Sequence, residues 1–192
     1  MVADSHQSWP RSLDWWTNQG IFALSISGGT YEDARQAVEE YHCKHYIVLM
    51  GGNDFVLGPA EVASDNAKSV IRRILDKPGV LSVVTGFIVP RVVNQAWNDF
   101  ACKFEVMMTQ QDPRHHHFQS DILLDSNRTG LDRSLYAHDL VHLNFRGNFE
   151  YQRVLEFAVS GVNTGVFTGG RQISSRNRPN GRTDVYHAHW RY

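Results

Sequence analysis

A chain of 192 residues, 42% hydrophobic and 20% charged, has the length of one domain and the composition of an ordinary globular protein. Its formal net charge of -1, from 19 basic and 20 acidic side chains, gives the whole no bias toward nucleic acid or a membrane surface. No apolar run reaches the roughly 18 residues of a spanning helix and no basic-then-apolar leader opens the chain, so a cytoplasmic location is expected.

In chain order, the apolar Met1-Val2-Ala3 leads into Asp4-Ser5-His6, which reads as a strand end opening into a helix near residues 12–17. Residues 21–27 (IFALSIS) form a β-prone run closed by Gly28-Gly29. Thr30 then suits the N-cap of a helix to about His42, with Glu32 and Asp33 in its first turn. Residues 45–50 (HYIVLM) read as a buried strand ended by Gly51-Gly52. A second helix starts near Pro59 and shows an inward stripe of Ala63, Ala67, Val70, Ile71 and Ile74 until Pro78-Gly79 stops it.

Residues 80–89 (VLSVVTGFIV) make a third apolar run, ended by Pro90. Val93, Trp97, Phe100, Ala101, Phe104 and Met108 then mark one face of a further helix. A short strand is expected at residues 121–124, followed by a polar loop and a helix over about 147–159. Cys43 and Cys102 carry no CxxC spacing and fall in helically patterned segments, as buried free thiols in a reducing compartment would. From residue 171 the chain holds five arginines against one aspartate. A solvated, disordered end explains that tail, with a nucleic-acid-binding arm as the weaker alternative.

Alternation of strands and helices predicts an α/β fold, three-layer α/β/α around a central parallel sheet. Active sites in such sheets gather beyond the carboxyl ends of the strands. Four short segments fall there. Ser5 would hold a hydroxyl beside helix N-terminal N–H groups, although a helix-capping serine accounts for the same residues. Gly28 offers an unshielded N–H straight after a strand, or simply turns the chain. Asn53 presents a side-chain amide to a substrate oxygen, or closes an Asx-type turn. Asp139 and His142, three residues apart, can meet in a turn where the carboxylate orients the imidazole and stabilises its charged form.

Together and in this order, the segments resemble the conserved blocks of the SGNH (GDSL-type) hydrolases, from Asp4-Ser5 to His142. SISGGT is similar to that family's second block, LMGGNDF to its third and DLVHLN to its fifth. The Asp4-Ser5-His6 start, Val89-Pro90-Arg91 and HLNFRGN resemble a metazoan subgroup that includes esterase domains of retroelement-encoded proteins. The resemblance implies a flavodoxin-like hydrolase domain over residues 1–165, with 166–192 as the polar tail. It implies Ser5 as nucleophile, His142 as general base and then acid, and Asp139 as its orienting partner. The oxyanion hole would be the Ser5 N–H, the Gly28 N–H and the Asn53 side chain, with Gly29 as the neighbouring candidate for the glycine. The implied activity is hydrolysis of acetyl or short acyl esters of lipids or sugars through an acyl-enzyme, without cofactor or metal.

Two departures support a second reading, an impaired relative serving binding or self-association. Ala3 stands where the family usually has glycine, and three residues precede Asp4 where a central strand usually has about five or six. Three other features read as structural. Successive side chains of His115-His116-His117 on an extended chain point to opposite faces and do not converge on one ion. His187 and His189 share a face but lie in the tail. Trp9, Trp15 and Trp16 suit helix packing better than an acyl pocket.

Overall fold

The computed structural model describes residues 2–4, 24–26, 28–108, 112–127 and 129–164, with 2–4, 24–26 and 155–164 described by backbone alone. Five short strands, β1 (Val2–Asp4), β2 (Leu24–Ile26), β3 (His45–Leu49), β4 (Ser82–Thr85) and β5 (His115–His117), form one sheet in the order β2-β1-β3-β4-β5. Every neighbouring pair is parallel. A doubly wound sheet of this order has its topological switch between β1 and β3, and the crevice beyond the carboxyl ends of those strands is where ligands bind.

Among the described residues four helices flank the sheet: α1 (Tyr31–Glu40), α2 (Ala60–Leu75), α3 (Gln95–Met107) and α4 (Phe145–Thr164). Side chains alternate along the strands, and the two faces build two cores. Tyr46, Val48 and Val83 pack with the inward stripes of α1, α2 and α3. Ile47, Leu49 and Val84 pack with Phe87, Phe118, and Tyr151 and Val154 of α4. Burial on both sides explains why these strands read as continuous apolar runs. Thr30 caps α1, its N–H and hydroxyl both donating to Asp33 Oδ2 at 2.8 Å.

The structure departs from the sequence reading at several points. Of the run 80–89 only Ser82–Thr85 is strand. Gly86 follows at once, and a Cβ there would lie 2.6 Å from Phe118 Cζ and 2.7 Å from Leu49 Cδ2, so the chain passes too close to the core to carry a side chain. Residues 121–124 are no strand. Ser120–Leu123 is a 3₁₀ turn whose start is tied to the Glu105 carboxylate through the Ser120 N–H (3.0 Å) and hydroxyl (2.9 Å). The edge strand is instead the three histidines. Thr85 Oγ1 sits 2.8 Å from His115 Nε2 and 2.9 Å from His117 Nδ1, which supplies hydrogen bonds that a buried imidazole requires.

Val93 lies ahead of α3 and is exposed, while Asn94 caps the helix by accepting from the Trp97 N–H at 2.9 Å. Cys43 falls beyond the end of α1 and is exposed, and Cys102 is half-buried on α3; both are free thiols. Among the described residues no helix is long and apolar enough to cross a membrane. The Arg-rich segment 166–192, with His187 and His189, lies outside the described residues, as do Ser5, Trp9, Trp15 and Trp16.

Candidate active site

The loop after β3 is built around Gly51, which takes a left-handed φ of +117° and leaves only 3.0 Å between a hypothetical Cβ and Ile88 Cδ1. Asn53 and Asp54 then open a 3₁₀ turn, Asn53–Val56. Asn53 Nδ2 donates to the Gly29 carbonyl at 3.0 Å, and the buried Asp54 carboxylate accepts from the Tyr31 N–H at 3.2 Å. The loop after β3 is thereby tied to the loop after β2, where Gly28 turns the chain with φ +67°. Burial pushes the Asp54 carboxyl up to about 6, against the lowering effect of the Tyr31 N–H. Asp54 is thus a buried cap for α1, and Asn53 keeps a second amide N–H with no acceptor among the described residues.

Asp139 and His142 lie in a tight turn between Tyr136 and Leu143, which bridge each other antiparallel. The Ala137 N–H donates to the His142 carbonyl at 2.8 Å. Leu140 at the turn's tip has φ +57°, a strained value for a non-glycine residue that costs about 1–3 kcal/mol. Its carbonyl accepts from the Val92 N–H at 2.9 Å, which helps hold it there.

Asn144 fastens the turn from below. Its amide donates to the Ser134 and Tyr136 carbonyls at 2.8 and 2.9 Å, and its oxygen accepts from the Gly147 N–H at 3.0 Å. Gly147 lets α4 start against this turn, because a Cβ there would sit 2.1 Å from the Leu135 carbonyl oxygen.

Asp139 Oδ1 accepts from the backbone N–H groups of Val141 (2.9 Å) and His142 (3.0 Å), and Oδ2 lies 2.6 Å from His142 Nδ1. The imidazole bond first, and then the two N–H donors, hold this carboxyl well below the usual carboxylate range. An ionised carboxylate only accepts, so the Nδ1 proton belongs to His142 and the neutral ring carries its lone pair on Nε2. That is the tautomer of a general base. Both side chains are half exposed.

His142 faces a pocket whose lining includes Met50 and Gly52 from the loop after β3, with Ile88, Arg91 and Trp97. The dyad and the Asn53 loop therefore meet at the carboxyl end of the sheet. Sequence reasoning singled out Asp139, His142, Gly28 and Asn53, and the structure places all four in loops at that end, while Ser5 lies outside the described residues. Asp54 and Asp139 form no carboxylate pair, since Asp54 is engaged with Tyr31. Arg91 and Trp97 were missed as site residues. Their spacing carries no pattern of its own, and only the hydrogen bonds of Asn98 to the Arg91 backbone reveal how they are brought together. Among the described residues no group of three or more His, Cys, Asp or Glu side chains is arranged to hold a metal ion.

No protein-family model matches the chain, and no curated protein matches it in sequence. Solved structures do resemble it. A carbohydrate esterase family 3 protein from Talaromyces cellulolyticus superposes with a TM-score of 0.62 at 15% identity, over 85% of this chain and 97% of that one. The esterase EstA of Pseudoalteromonas sp. gives 0.50 at 14%, over 82% and 98%. A G-D-S-L-family protein described as lipolytic, from Desulfitobacterium hafniense DCB-2, gives 0.55 at 15%, over 79% and 95%. At 14–15% identity these likenesses are of fold: the chain shares its α/β architecture with solved esterases, a G-D-S-L-family protein among them.

Proposed function

We propose that the chain is a serine hydrolase of carboxylic esters, with Ser5 as nucleophile, His142 as base and acid, and Asp139 as the residue that orients His142. The observation that carries this reading is the 2.6 Å Asp139–His142 bond, in a pocket shared with Gly52 at the carboxyl end of β3. Sheet order adds support. β1 lies between β2 and β3, Asp4 pairs with Ile26, and Ser5 is the next residue in the chain. The loops that carry Gly28 and Asn53 follow the two strands on either side of β1.

In this mechanism His142 Nε2 takes the Ser5 proton as Oγ attacks the ester carbonyl. The Ser5 and Gly28 N–H groups and the Asn53 amide stabilise the tetrahedral oxyanion. His142 then returns the proton to the departing alkoxide, and the same base activates the water that releases the acid and regenerates Ser5. Acetyl and short acyl esters of lipids or sugars are the expected substrates. Residues 1–165 form the hydrolase unit in this reading, with 166–192 as its polar tail, and Val89-Pro90-Arg91 with HLNFRGN supports placement beside the metazoan esterase domains.

Hydrolysis of p-nitrophenyl acetate by the wild type and Ser5→Ala tests the proposal. Wild-type turnover reduced at least about 1,000-fold by the substitution is expected. Equal rates would leave a binding or self-association module, the reading that Ala3 favours.

A further inference from the structure

Arg91 is a cation in the pocket of the dyad whose guanidinium has no hydrogen-bonded or ion-paired anion among the described residues. Its guanidinium carbon lies 3.5 Å from the Trp97 ring centroid, on the face of the indole. Trp97 is itself buried and fixed by its Nε1–H, which donates to the Val89 carbonyl at 2.9 Å. The backbone of Arg91 is clamped by the buried Asn98, which accepts from the Arg91 N–H and donates to the Arg91 carbonyl, both at 2.7 Å. The residue is half-buried, and the loss of water disfavours its charged form.

Against this cost, the guanidinium makes no hydrogen bond or ion pair with any described residue. Asp139 is near enough to favour the charged form electrostatically, but no hydrogen bond or ion pair joins it to Arg91; its bonds run to His142 and Val141. A preorganised planar donor set with no acceptor among the described residues, facing the same pocket as His142, is suited to an anionic oxygen pair supplied by a ligand.

We propose that Arg91 is the specificity-determining residue of this pocket, and that the preferred substrates are esters bearing a carboxylate close to the scissile bond. The inference rests on the esterase reading for the reaction and on Arg91, stacked on Trp97 and without an ion pair among the described residues, for the substrate class. Arg91 grips the carboxylate while Trp97 keeps the guanidinium level, and His142 acts on the ester a short distance away.

The test compares two matched pairs of esters. Mono-p-nitrophenyl succinate against p-nitrophenyl butyrate places the carboxylate on the acyl side. Acetylated p-hydroxybenzoate against its methyl ester places it on the alcohol side. The readout is the ratio of kcat/KM for the charged over the neutral member, in wild type, Arg91→Gln and Arg91→Lys. For one pair the ratio falls about tenfold or more in Arg91→Gln and is partly kept in Arg91→Lys, as loss of a charge-assisted bond requires. A purely structural Arg91, or one that only supports Asp139, lowers both members equally and leaves the ratio unchanged; that result overturns the inference while the esterase reading stands.

If no ester is hydrolysed, calorimetric titration of the Ser5→Ala protein with monomethyl succinate and acetylated p-hydroxybenzoate still decides. Binding of either that weakens about tenfold on adding Arg91→Gln supports the anion site without the reaction. No binding, or binding indifferent to Arg91, refutes it.

Discussion

Gly147→Ala probes how the Asp139–His142 turn is held. The added Cβ would lie 2.1 Å from the Leu135 carbonyl oxygen and 3.1 Å from Leu143 Cβ. Carbon–oxygen contacts normally settle near 3.3–3.6 Å, so α4 and the turn must separate by about 1 Å. The struck oxygen is the one that accepts from the Asn144 N–H at 2.9 Å, and Asn144 is the residue that fastens Ser134, Tyr136 and Gly147 together. Overpacking of this size with a weakened hydrogen bond costs about 2–3 kcal/mol. For a domain of this length that lowers Tm by roughly 5–10 °C.

Displacing His142 by about 1 Å would further reduce ester turnover roughly 100-fold in the fraction that stays folded. Gly58→Ala is the control, since its Cβ would meet nothing nearer than Val62 at 3.9 Å. Thermal unfolding followed by circular dichroism reads the difference. A Gly147→Ala protein melting within about a degree of the Gly58→Ala control would refute this account of the turn.

Asp139→Asn keeps the shape of the turn but presents an amide to His142 Nδ1; kcat should fall about 10⁴-fold with little change in Tm, and a loss under tenfold would contradict the orienting role. Asn53→Ala removes both the tie to Gly29 and the spare N–H, and should lower kcat about 100-fold more than it raises KM. Burial, with repulsion from His116 on His115 and from His115 on His117, holds His115 at about 4 and His117 at about 3, so neither ring should titrate by NMR between pH 7.5 and 5; midpoints near 6.5 would show that β5 is not packed as described.

The same lowered values carry a sign for stability. Above pH 6.5 folded and unfolded histidines are both neutral, and below it the unfolded chain takes up protons the folded one refuses, so these two groups withdraw stability as pH falls from 6.5 toward 4. Asp54 and Glu105, raised to about 6 and about 7, act in the opposite direction over part of that range and soften the acid transition.

Periodicity and turn residues made most of the fold legible. Thr30, the continuous apolar run in HYIVL and the stripe from Ala63 to Ile74 each express a local rule that packing does not override. The histidine strand was not legible, because imidazoles join a buried sheet only when a partner such as the Thr85 hydroxyl is waiting, and that partner is 30 residues away. Residues 121–124 misled for a related reason: the apolar run is genuine, but the Glu105 carboxylate fixes its start as a turn.

At the site, Asp139 and His142 were readable because their contact is local. The link between Asn53 and Gly29 and the stacking of Arg91 on Trp97 depend on how separate elements pack, and spacing alone says nothing about that.

Treatment with a serine-directed fluorophosphonate, followed by mass spectrometry of the adduct, tests the central claim most directly, because reaction needs nucleophile, base and oxyanion hole together. The account predicts a single adduct on Ser5 in the wild type, strongly slowed in His142→Ala and in Asp139→Asn. An unlabelled Ser5 in a folded wild-type protein, or labelling at the same rate in all three, would contradict it.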